Sequence, residues 1–460
     1  MSSLLKENKN GWETVTEAEK QSIFAFCEGY KDFIDNAKTE RQAVKSAVEI
    51  AKKHGFVDVN TKESLVPGDK VYFVNREKSV YLSVVGKEDI TNGINFIIAH
   101  LDAPRIDIKA NPLYEASDLA LLKTHYYGGL RKYQWITIPL SLIGVVYKKD
   151  GTRVDINIGE SDNDPVFYIS DLAPHLAKDQ VQKKMSECIE GENLNIILGS
   201  MTKKREKDKF KSSVIEILNE KYGICEADFC SAELEVVPSS KARDVGIDRS
   251  LIGAYAHDDR VCSYTALMAM CETENPEKTI ACVLVDKEEI GSMGNTGMKG
   301  AAFEYITATL ISKCKSDYNE YMKMTLFRNS VCLSGDVTTA FDPNFPEVND
   351  SLNAAYLGHG VSISKYTGSR GKYDTSDANA EFVSKIRKCF DDNNVMWQMT
   401  ELGKVDQGGG GTIAQYVANL DVEVLDCGTP LLSMHAPVEI ASKYDIYMTF
   451  KAYKAFYGLK

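Results

Sequence analysis

Helical periodicity and short apolar runs alternate along the first hundred residues of the chain. Two capping-box pairs, each ahead of helical periodicity, predict two helix starts: Thr16 with Glu19, and Thr39 with Gln42. The second helix is expected to end at Gly55. Apolar runs then predict three strands, at 71–74, 80–85 and 94–100. The last run is apolar almost throughout, which is typical of a strand buried on both faces of a sheet.

The middle third of the chain has a different pattern, in which strands predominate. Strand-like runs fall at 136–146, 154–158, 193–199 and 232–237. A charged stretch at 203–211 is expected to be exposed to solvent. From residue 251 onward the alternation returns. Strands are predicted at 251–256, 279–285, 331–335, 395–400 and 422–426, and helices at 260–271, 301–316, 376–390, 412–418 and 437–457.

This alternation of strand and helix predicts an α/β fold with a mostly parallel sheet covered by helices. The β-rich middle third interrupts that pattern and is long enough to fold as a unit of its own. We therefore predict one discontinuous α/β domain, residues 1–105 and 246–460, and a second domain inserted at 106–245.

Composition and charge narrow the class of protein. The 460 residues include 54 Lys and Arg against 66 Asp and Glu, a net charge of −12, which argues against non-specific nucleic-acid binding. The most apolar stretch, 135–147, is too short and too interrupted to cross a bilayer, and residues 1–10 lack the apolar core of a signal peptide. The 11 cysteines are scattered, with none in a CxxC pair, as suits a reducing cytosol. We expect a cytoplasmic protein without nucleic-acid or membrane partners.

Two histidine-acid clusters stand where strands are predicted to end. His100 and Asp102 close the strand at 94–100 and, two residues apart, emerge on the same side of it. They can hold a metal ion, or form an ordinary polar strand end before a proline turn. Asp258 and Asp259 lie between the predicted strand at 251–256 and the predicted helix at 260–271. One acid suffices as the N-cap of that helix, and the other remains available to bridge metal ions.

Three further strand ends carry candidate ligands. Glu288 and Glu289 follow the strand at 279–285, and adjacent side chains diverge, so that one can bind metal while the other acts as a general base. A solvated acidic turn is the other interpretation of this pair. Asp336 follows the predicted strand at 331–335, and His435 precedes the predicted helix at 437–457. Neither residue indicates a metal site when taken alone. Together the clusters supply two histidines and enough carboxylates for two zinc ions that share one bridging Asp.

In this order, the segments AHLDAP, AHDDR, DKEEIGS, SGD with DPNFPE, and LLSMHAP resemble the aspartyl aminopeptidases, a family of zinc metallopeptidases. The resemblance covers nearly the whole chain, including YGGL at 127–130, LAPHL at 172–176 and GGGGTI at 408–413. It implies a zinc-exopeptidase-like α/β domain with two zinc ions and an inserted dimerisation domain. It also implies self-association as dimers that build a dodecamer. The chain has HLDAP and HDDR where the family more often has HTDSP and an LDN-type element.

The resemblance further implies a role for each matching residue. One metal ion is expected on His100 and Asp336, the other on Glu289 and His435, with Asp258 bridging them. Glu288 is expected to be the general base, and Asp102 to support His100 and the metal site. His175, in LAPHL, is expected to reach the active site of the partner subunit and donate a hydrogen bond to the substrate carbonyl.

The function predicted from these residues is removal of the N-terminal residue from peptides. Two alternatives stay open: a two-metal aminopeptidase or deacylase of neutral or broad specificity, and an inactive assembly scaffold. Co²⁺ or Mn²⁺ can take the place of Zn²⁺ on ligands of these types. A preference for acidic N-terminal residues requires a cationic pocket, for which Lys365, Arg370 and Lys372 in the Gly-rich stretch 358–373 are the candidates.

Overall fold

The computed structural model of the chain describes residues 4, 9–202 and 208–460. Most of the N-terminal segment 1–10 and part of the charged stretch at 203–211 lie outside the described residues. The chain divides into two compact units. The first consists of Met1–Asp102, Ala242–Met434 and Val438–Lys460, and the second of Ala103–Lys241 with His435–Pro437. In the part of the chain that is described, no helix has the length and apolar character needed to span a bilayer.

Helices α1 to α10 are distributed over both units. Their bounds are α1 Glu17–Asp35, α2 Glu40–Lys53, α3 Met185–Cys188, α4 Lys209–Tyr222, α5 His257–Cys271, α6 Ala302–Cys314, α7 Glu320–Asn329, α8 Ala380–Asp392, α9 Ala414–Ala418 and α10 Lys443–Tyr457. Both predicted capping boxes are present, since the Thr16 and Thr39 side chains accept the N3 amides of α1 and α2 and the N3 side chains reciprocate.

Strands β1 to β20 form three sheets. Their bounds are β1 Val57–Asp58, β2 Lys70–Asn75, β3 Ser79–Val84, β4 Ile94–His100, β5 Arg105–Ala116, β6 Leu119–Tyr127, β7 Leu140–Tyr147, β8 Arg153–Ile158, β9 Ile196–Gly199, β10 Ala232–Pro238, β11 Arg243–Val245, β12 Leu251–Ala254, β13 Thr279–Val285, β14 Val331–Ser334, β15 Thr338–Thr339, β16 Val361–Ser364, β17 Trp397–Met399, β18 Glu423–Gly428, β19 Pro430–Leu432 and β20 Glu439–Ser442.

The largest sheet, in the first unit, has the strand order β1-β2-β3-β13-β4-β14-β18-β16-β17. Strands β13, β4, β14 and β18 at its centre run parallel, whereas β3 and β16 join this block antiparallel, so the sheet is mixed. Every residue of β4 is buried. Its alternate side chains enter two different cores, with Ile97 in one and Ile98 in the other, because helices cover both faces of the sheet.

A smaller five-stranded sheet, β11-β12-β20-β19-β15, also belongs to the first unit. It corrects the sequence analysis at the C-terminus, where a helix is predicted from residue 437. Residues Glu439–Ser442 are instead strand β20, held antiparallel between β12 and β19, and helix α10 begins at Lys443. Pairing with two distant strands outweighs the local helical periodicity there.

The second unit is built on a six-stranded antiparallel sheet, β8-β7-β10-β5-β6-β9. Its longest strands, β5 and β6, form a hairpin that the sequence analysis missed. Charged and apolar residues alternate at the start of β5, as in a strand with one exposed face, and β5 has no continuous apolar run. The hairpin turns at Ser117 and Asp118, both with positive φ, as a two-residue turn between twisted strands requires. Helix α4 packs on this sheet, and Glu115 on β5 accepts the amides of Phe210 and Lys211 in its first turn.

Candidate metal centre

Three predicted site segments follow neighbouring parallel strands of the largest sheet. Strand β4 lies between β13 and β14, with His100 paired to Val285 and Ile98 paired to Ser334. Residues that directly follow these strands therefore arrive at the same edge of the sheet, the carboxyl edge, where open α/β sheets bind ligands. His100, Glu288 and Asp336 reach this edge from three distant stretches of sequence.

The fourth segment is the irregular start of helix α5. Ala256, in the left-handed region at φ 65°, turns the chain from β12 into the helix, and Asp258 and Asp259 retain non-helical dihedral angles. Neither acid acts as the N-cap that the sequence analysis considered, because the N-cap is Ala256 and no side chain caps the helix there. Asp259 Oδ2 instead accepts the main-chain amide of His100 at 3.2 Å, which ties the helix start to the end of β4.

The His100 imidazole is fixed on both of its nitrogen atoms. Nδ1 lies 3.0 Å from the main-chain carbonyl of Asp102, and Nε2 lies 3.1 Å from Asp258 Oδ1. When Nδ1–H donates to the carbonyl, Nε2 is the nitrogen available to a metal ion held beside Asp258, as in metal sites whose histidine is oriented by a second partner. Ser263 holds the strand end by donating to the His100 carbonyl at 2.7 Å.

Asp102 organises the glutamate pair. Its carboxylate is fully buried and accepts two main-chain amides, that of Glu288 at 3.0 Å and that of Glu289 at 3.1 Å. These two residues open a short 3-10 turn that follows Lys287, at φ 67°. The turn has no capping side chain of its own within Glu288–Ile290, so Asp102 supplies the acceptor that the first amides of a helical turn require.

Candidate ligand atoms converge on this edge in three overlapping groups. Within each group, one atom per residue lies no more than 4.8 Å from the others. The groups are His100 with Asp258 and Glu289, His100 with Glu288 and Asp336, and Asp258 with Asp259 and Asp336. The last group contains Asp259, which the predicted ligand set lacks; the doubled acid in AHDDR was its sequence signal.

Burial perturbs the ionisation of the cluster. Burial opposes the charged form of His100, but hydrogen bonds to Asp102 and Asp258 outweigh it and raise its pKa well above the ordinary value. Burial, followed by the nearby charge of Glu288, raises the pKa of Asp336 well above its ordinary value. The pKa of Asp259 is raised chiefly by burial as well. Carboxylates gathered in a low-dielectric site repel one another, and a bound cation offsets that repulsion.

This donor set suits zinc, which binds imidazole nitrogen and carboxylate oxygen in proteins. His100, Asp258 and Asp336 each belong to two of the three groups, so two neighbouring ions can have a ligand in common. The residues present therefore fit a zinc centre by the chemistry of their donors.

Two predicted site residues belong to the second unit. His435 lies in the segment His435–Pro437, and its Nδ1 is 2.9 Å from the carbonyl of Gly129 in the YGGL segment. His175 lies in a 3-10 turn, Pro174–Leu176, in an exposed part of that unit. Neither residue is a member of the three ligand groups found among the described residues.

The basic residues proposed for an acidic pocket lie in the first unit. Lys365 and Lys372 both pair with Asp377, at 3.4 and 2.7 Å. Arg370 and Lys372 line a small cavity of about 40 Å³, together with Lys404 and Glu401. The cavity is thus cationic on balance.

The chain is similar to known zinc metalloproteases. Residues 33–457 match the family described as Aminopeptidase I zinc metalloprotease (M18). A probable M18 family aminopeptidase 1 from Clostridium acetobutylicum is 51% identical, over 98% of each chain. The crystal structure of an M18 aminopeptidase from Thermotoga maritima superposes with a TM-score of 0.96 at 46% identity, covering 99% of this chain and 100% of that one. The S. cerevisiae mApe1 dodecamer structure shares the fold, with a TM-score of 0.75 at 21% identity, over 94% of this chain and 96% of that one. The chain belongs to the M18 family of zinc metalloproteases, the aminopeptidases of the aminopeptidase I type.

Proposed function

We propose that this M18 aminopeptidase uses two zinc ions to remove single N-terminal residues from peptides. The observation that carries the proposal is the convergence of His100, Asp258, Glu288, Glu289 and Asp336 at one edge of the sheet. One ion is assigned to His100 and Asp336, the other to Glu289 and His435, with Asp258 shared. Co²⁺ or Mn²⁺ remains compatible with these ligand types.

The chemistry divides between the bound ions and the side chains. Bound zinc lowers the pKa of an attacking water and polarises the scissile carbonyl. Glu288 accepts a proton from the water and delivers it to the departing amine. The Asp102 carboxylate holds the main chain of Glu288 through its amide, which keeps the base in place while its protonation changes.

The role of His435 as a ligand is supported by the LSMH motif and by its hydrogen bond within the second unit. When Nδ1–H donates to the Gly129 carbonyl, the lone pair for a metal ion resides on Nε2. The role of His175 is supported by the LAPHL segment. An imidazole that donates to the developing oxyanion from the partner subunit makes catalysis depend on dimers.

The cavity lined by basic residues bears on substrate preference. Arg370 and Lys372, with Lys404, give a cationic cavity that suits the carboxylate of an N-terminal Asp or Glu. Asp377 competes for Lys365 and Lys372, which weakens the preference for acidic side chains and favours the neutral or broad specificity of the alternative function. An inactive assembly scaffold is disfavoured, because such a function requires no cluster of metal-binding side chains at one edge of a sheet.

Self-association and location complete the proposal. We propose that the second unit mediates dimers and that these build a dodecamer, as in the S. cerevisiae mApe1 structure of the same fold. We also propose that the protein acts in the cytoplasm. All 11 cysteines lie among the described residues and are free thiols, as a reducing compartment favours.

Replacement of Glu288 by Gln tests the proposed chemistry. Glu288→Gln keeps the shape of the side chain but cannot accept the proton, so kcat should fall by at least about a hundredfold. Zinc content, measured by elemental analysis of dialysed protein, should stay at two ions per chain. Glu274→Gln, which alters an exposed partner of Lys70, is the matched control and should keep wild-type turnover.

The assay should compare anilides of Asp, Glu, Leu and Ala with and without chelator. Near wild-type turnover by Glu288→Gln at full zinc content would refute the role of the base. Faster cleavage of Leu than of Asp or Glu substrates would refute the acidic preference and leave the aminopeptidase activity standing.

A further inference from the structure

The first amides of helix α5 have an unusual acceptor. A helix leaves its first amides without partners inside the helix, and an N-cap side chain normally accepts one of them. Here the N-cap is Ala256, which has no side-chain acceptor. The amide of Asp258 instead donates to Glu439 Oε2 at 3.0 Å, from a residue 181 positions away in the sequence.

Sheet pairing sets the position of Glu439. Strand β20 runs antiparallel to β12, and Glu439 pairs with Ala254, the last residue of β12. Two residues later the chain turns through Ala256 into α5. Glu439 therefore stands beside the turn that delivers Asp258, and the rigid sheet, rather than a flexible loop, carries the carboxylate.

The Glu439 side chain is 1% exposed, and Asp258 is 3% exposed. Burial of a carboxylate is costly unless hydrogen bonds or opposite charges compensate it. The hydrogen bond from the Asp258 amide is one such compensation, and it places an acceptor oxygen that the sheet holds in position. The bond restrains the main chain of Asp258 at φ −79° and ψ 103°, outside the helical region.

The residue before Asp258 is held independently. Tyr30 OH donates to His257 Nδ1 at 2.7 Å, so that His257 Nε2–H donates to the carbonyl of Ile252 at 3.1 Å. These contacts anchor the His257 side chain but leave the next peptide, which carries the Asp258 amide, without support from the same residues. Glu439 supplies that support.

We propose that Glu439 is a positioning residue that holds the Asp258 main chain and thereby aims the Asp258 carboxylate at the metal ions. The inference rests on the proposed bridging role of Asp258. The restraint on the Asp258 main chain depends on the position of the acceptor oxygen of Glu439, because the hydrogen bond, and not the charge alone, holds the amide.

Two conservative variants separate the acceptor from the charge. Glu439→Gln keeps an oxygen at the same reach and removes the charge, so metal affinity should stay within about threefold of wild type. Glu439→Asp keeps the charge but withdraws the oxygen by about 1.5 Å, the length of one C–C bond. It should weaken metal binding about 10- to 100-fold, as loss of an orienting contact to a metal ligand typically does.

The measurements are competition of bound Co²⁺ against a chelator and the visible absorption spectrum of the Co²⁺-loaded protein. The spectrum of Glu439→Asp should change, because it reports ligand geometry, while that of Glu439→Gln should match wild type. Asp445→Asn is the control for a structural effect. It alters another buried carboxylate of the same unit that accepts two amides, those of Gly358 and Gly360, and should leave the spectrum unchanged.

Wild-type affinity and spectrum in Glu439→Asp would overturn the inference, and so would a loss in Glu439→Gln equal to that in Glu439→Asp. Asp258→Asn distinguishes this failure from failure of the proposed function. Full metal content and activity in Asp258→Asn would remove the bridging role itself. If Asp258→Asn loses metal and activity while Glu439→Asp keeps wild-type affinity and spectrum, only the role of Glu439 is refuted.

Discussion

Asp102→Asn isolates the part of catalysis that depends on holding the glutamate turn. The Asp102 carboxylate accepts the amides of Glu288 and Glu289 with separate oxygens. An asparagine keeps one acceptor and presents an NH₂ group to the other amide, so one of the two hydrogen bonds is lost. The side chain is fully buried, and water cannot easily replace that bond.

The size of the effect follows from the kind of bond. A hydrogen bond to a charged group contributes about 1.5–3 kcal/mol, and a factor of ten in rate corresponds to about 1.4 kcal/mol. If the loss falls on the positioning of Glu288, kcat should drop about 10- to 100-fold. The KM should change little, since the contacts are to the main chain of the turn and not to substrate.

The assay is steady-state hydrolysis of an amino-acid anilide, with zinc content measured on the same sample. Asp228→Asn is the matched control, because Asp228 also accepts two main-chain amides, those of Cys225 and Lys149, in the second unit. It should lower thermal stability and leave kcat within about twofold. A kcat for Asp102→Asn within threefold of wild type at full zinc content would refute the reasoning, as would an equal kcat loss in Asp228→Asn.

Three further predictions concern pH, metal and subunit exchange. Burial raises the pKa of Asp426 from 3.8 to about 6, so the folded chain holds a proton there that the unfolded chain releases, and stability falls as pH rises from about 4 to 6. In the presence of chelator, the Tm of Asp426→Asn minus that of wild type should therefore increase from about pH 4 to 6 and stay constant at higher pH. A difference that does not change with pH would contradict the raised pKa of Asp426. Chelation should lower the Tm of wild type by several degrees, restored by added zinc, because an ion that binds only the folded state stabilises it; an unchanged Tm in metal-free protein would contradict this. His175→Ala should keep zinc and lose most turnover, and mixing it with Glu288→Gln subunits should restore part of the activity; no recovery after verified subunit exchange would place His175 outside the partner's site.

Much of the first unit could be predicted from sequence because its strands are buried on both faces. Continuous apolar runs such as β4 and β13 have few alternative conformations, and both are found within a residue of their predicted bounds. The exceptions have physical causes. Strand β5 is half-exposed and has no continuous apolar run, and β20 is a strand only because β12 and β19 flank it.

The candidate site was predictable in its residue types and strand ends, but not in its supporting contacts. His100, Glu288 and Asp336 could be located because chemistry-bearing residues ended apolar runs. That the Asp102 carboxylate would accept two amides of the glutamate turn, and Glu439 the amide of Asp258, depends on pairings between residues more than 180 positions apart. No local pattern encodes such contacts. The domain limits and the individual ligand assignments remain predictions.

The order of strands in the largest sheet has a consequence for how the protein folds. Strand β4 must pair with β13 and β14, yet the whole stretch Ala103–Lys241 of the second unit separates it from both along the chain. Closing so long a loop costs entropy before any contact compensates it, so this pairing belongs late in folding. A nascent chain can thus fold the stretch Ala103–Lys241 while the ligands are still far apart. The ligands at the ends of β4, β13 and β14 come together only when the central sheet has closed, so metal binding follows that closure.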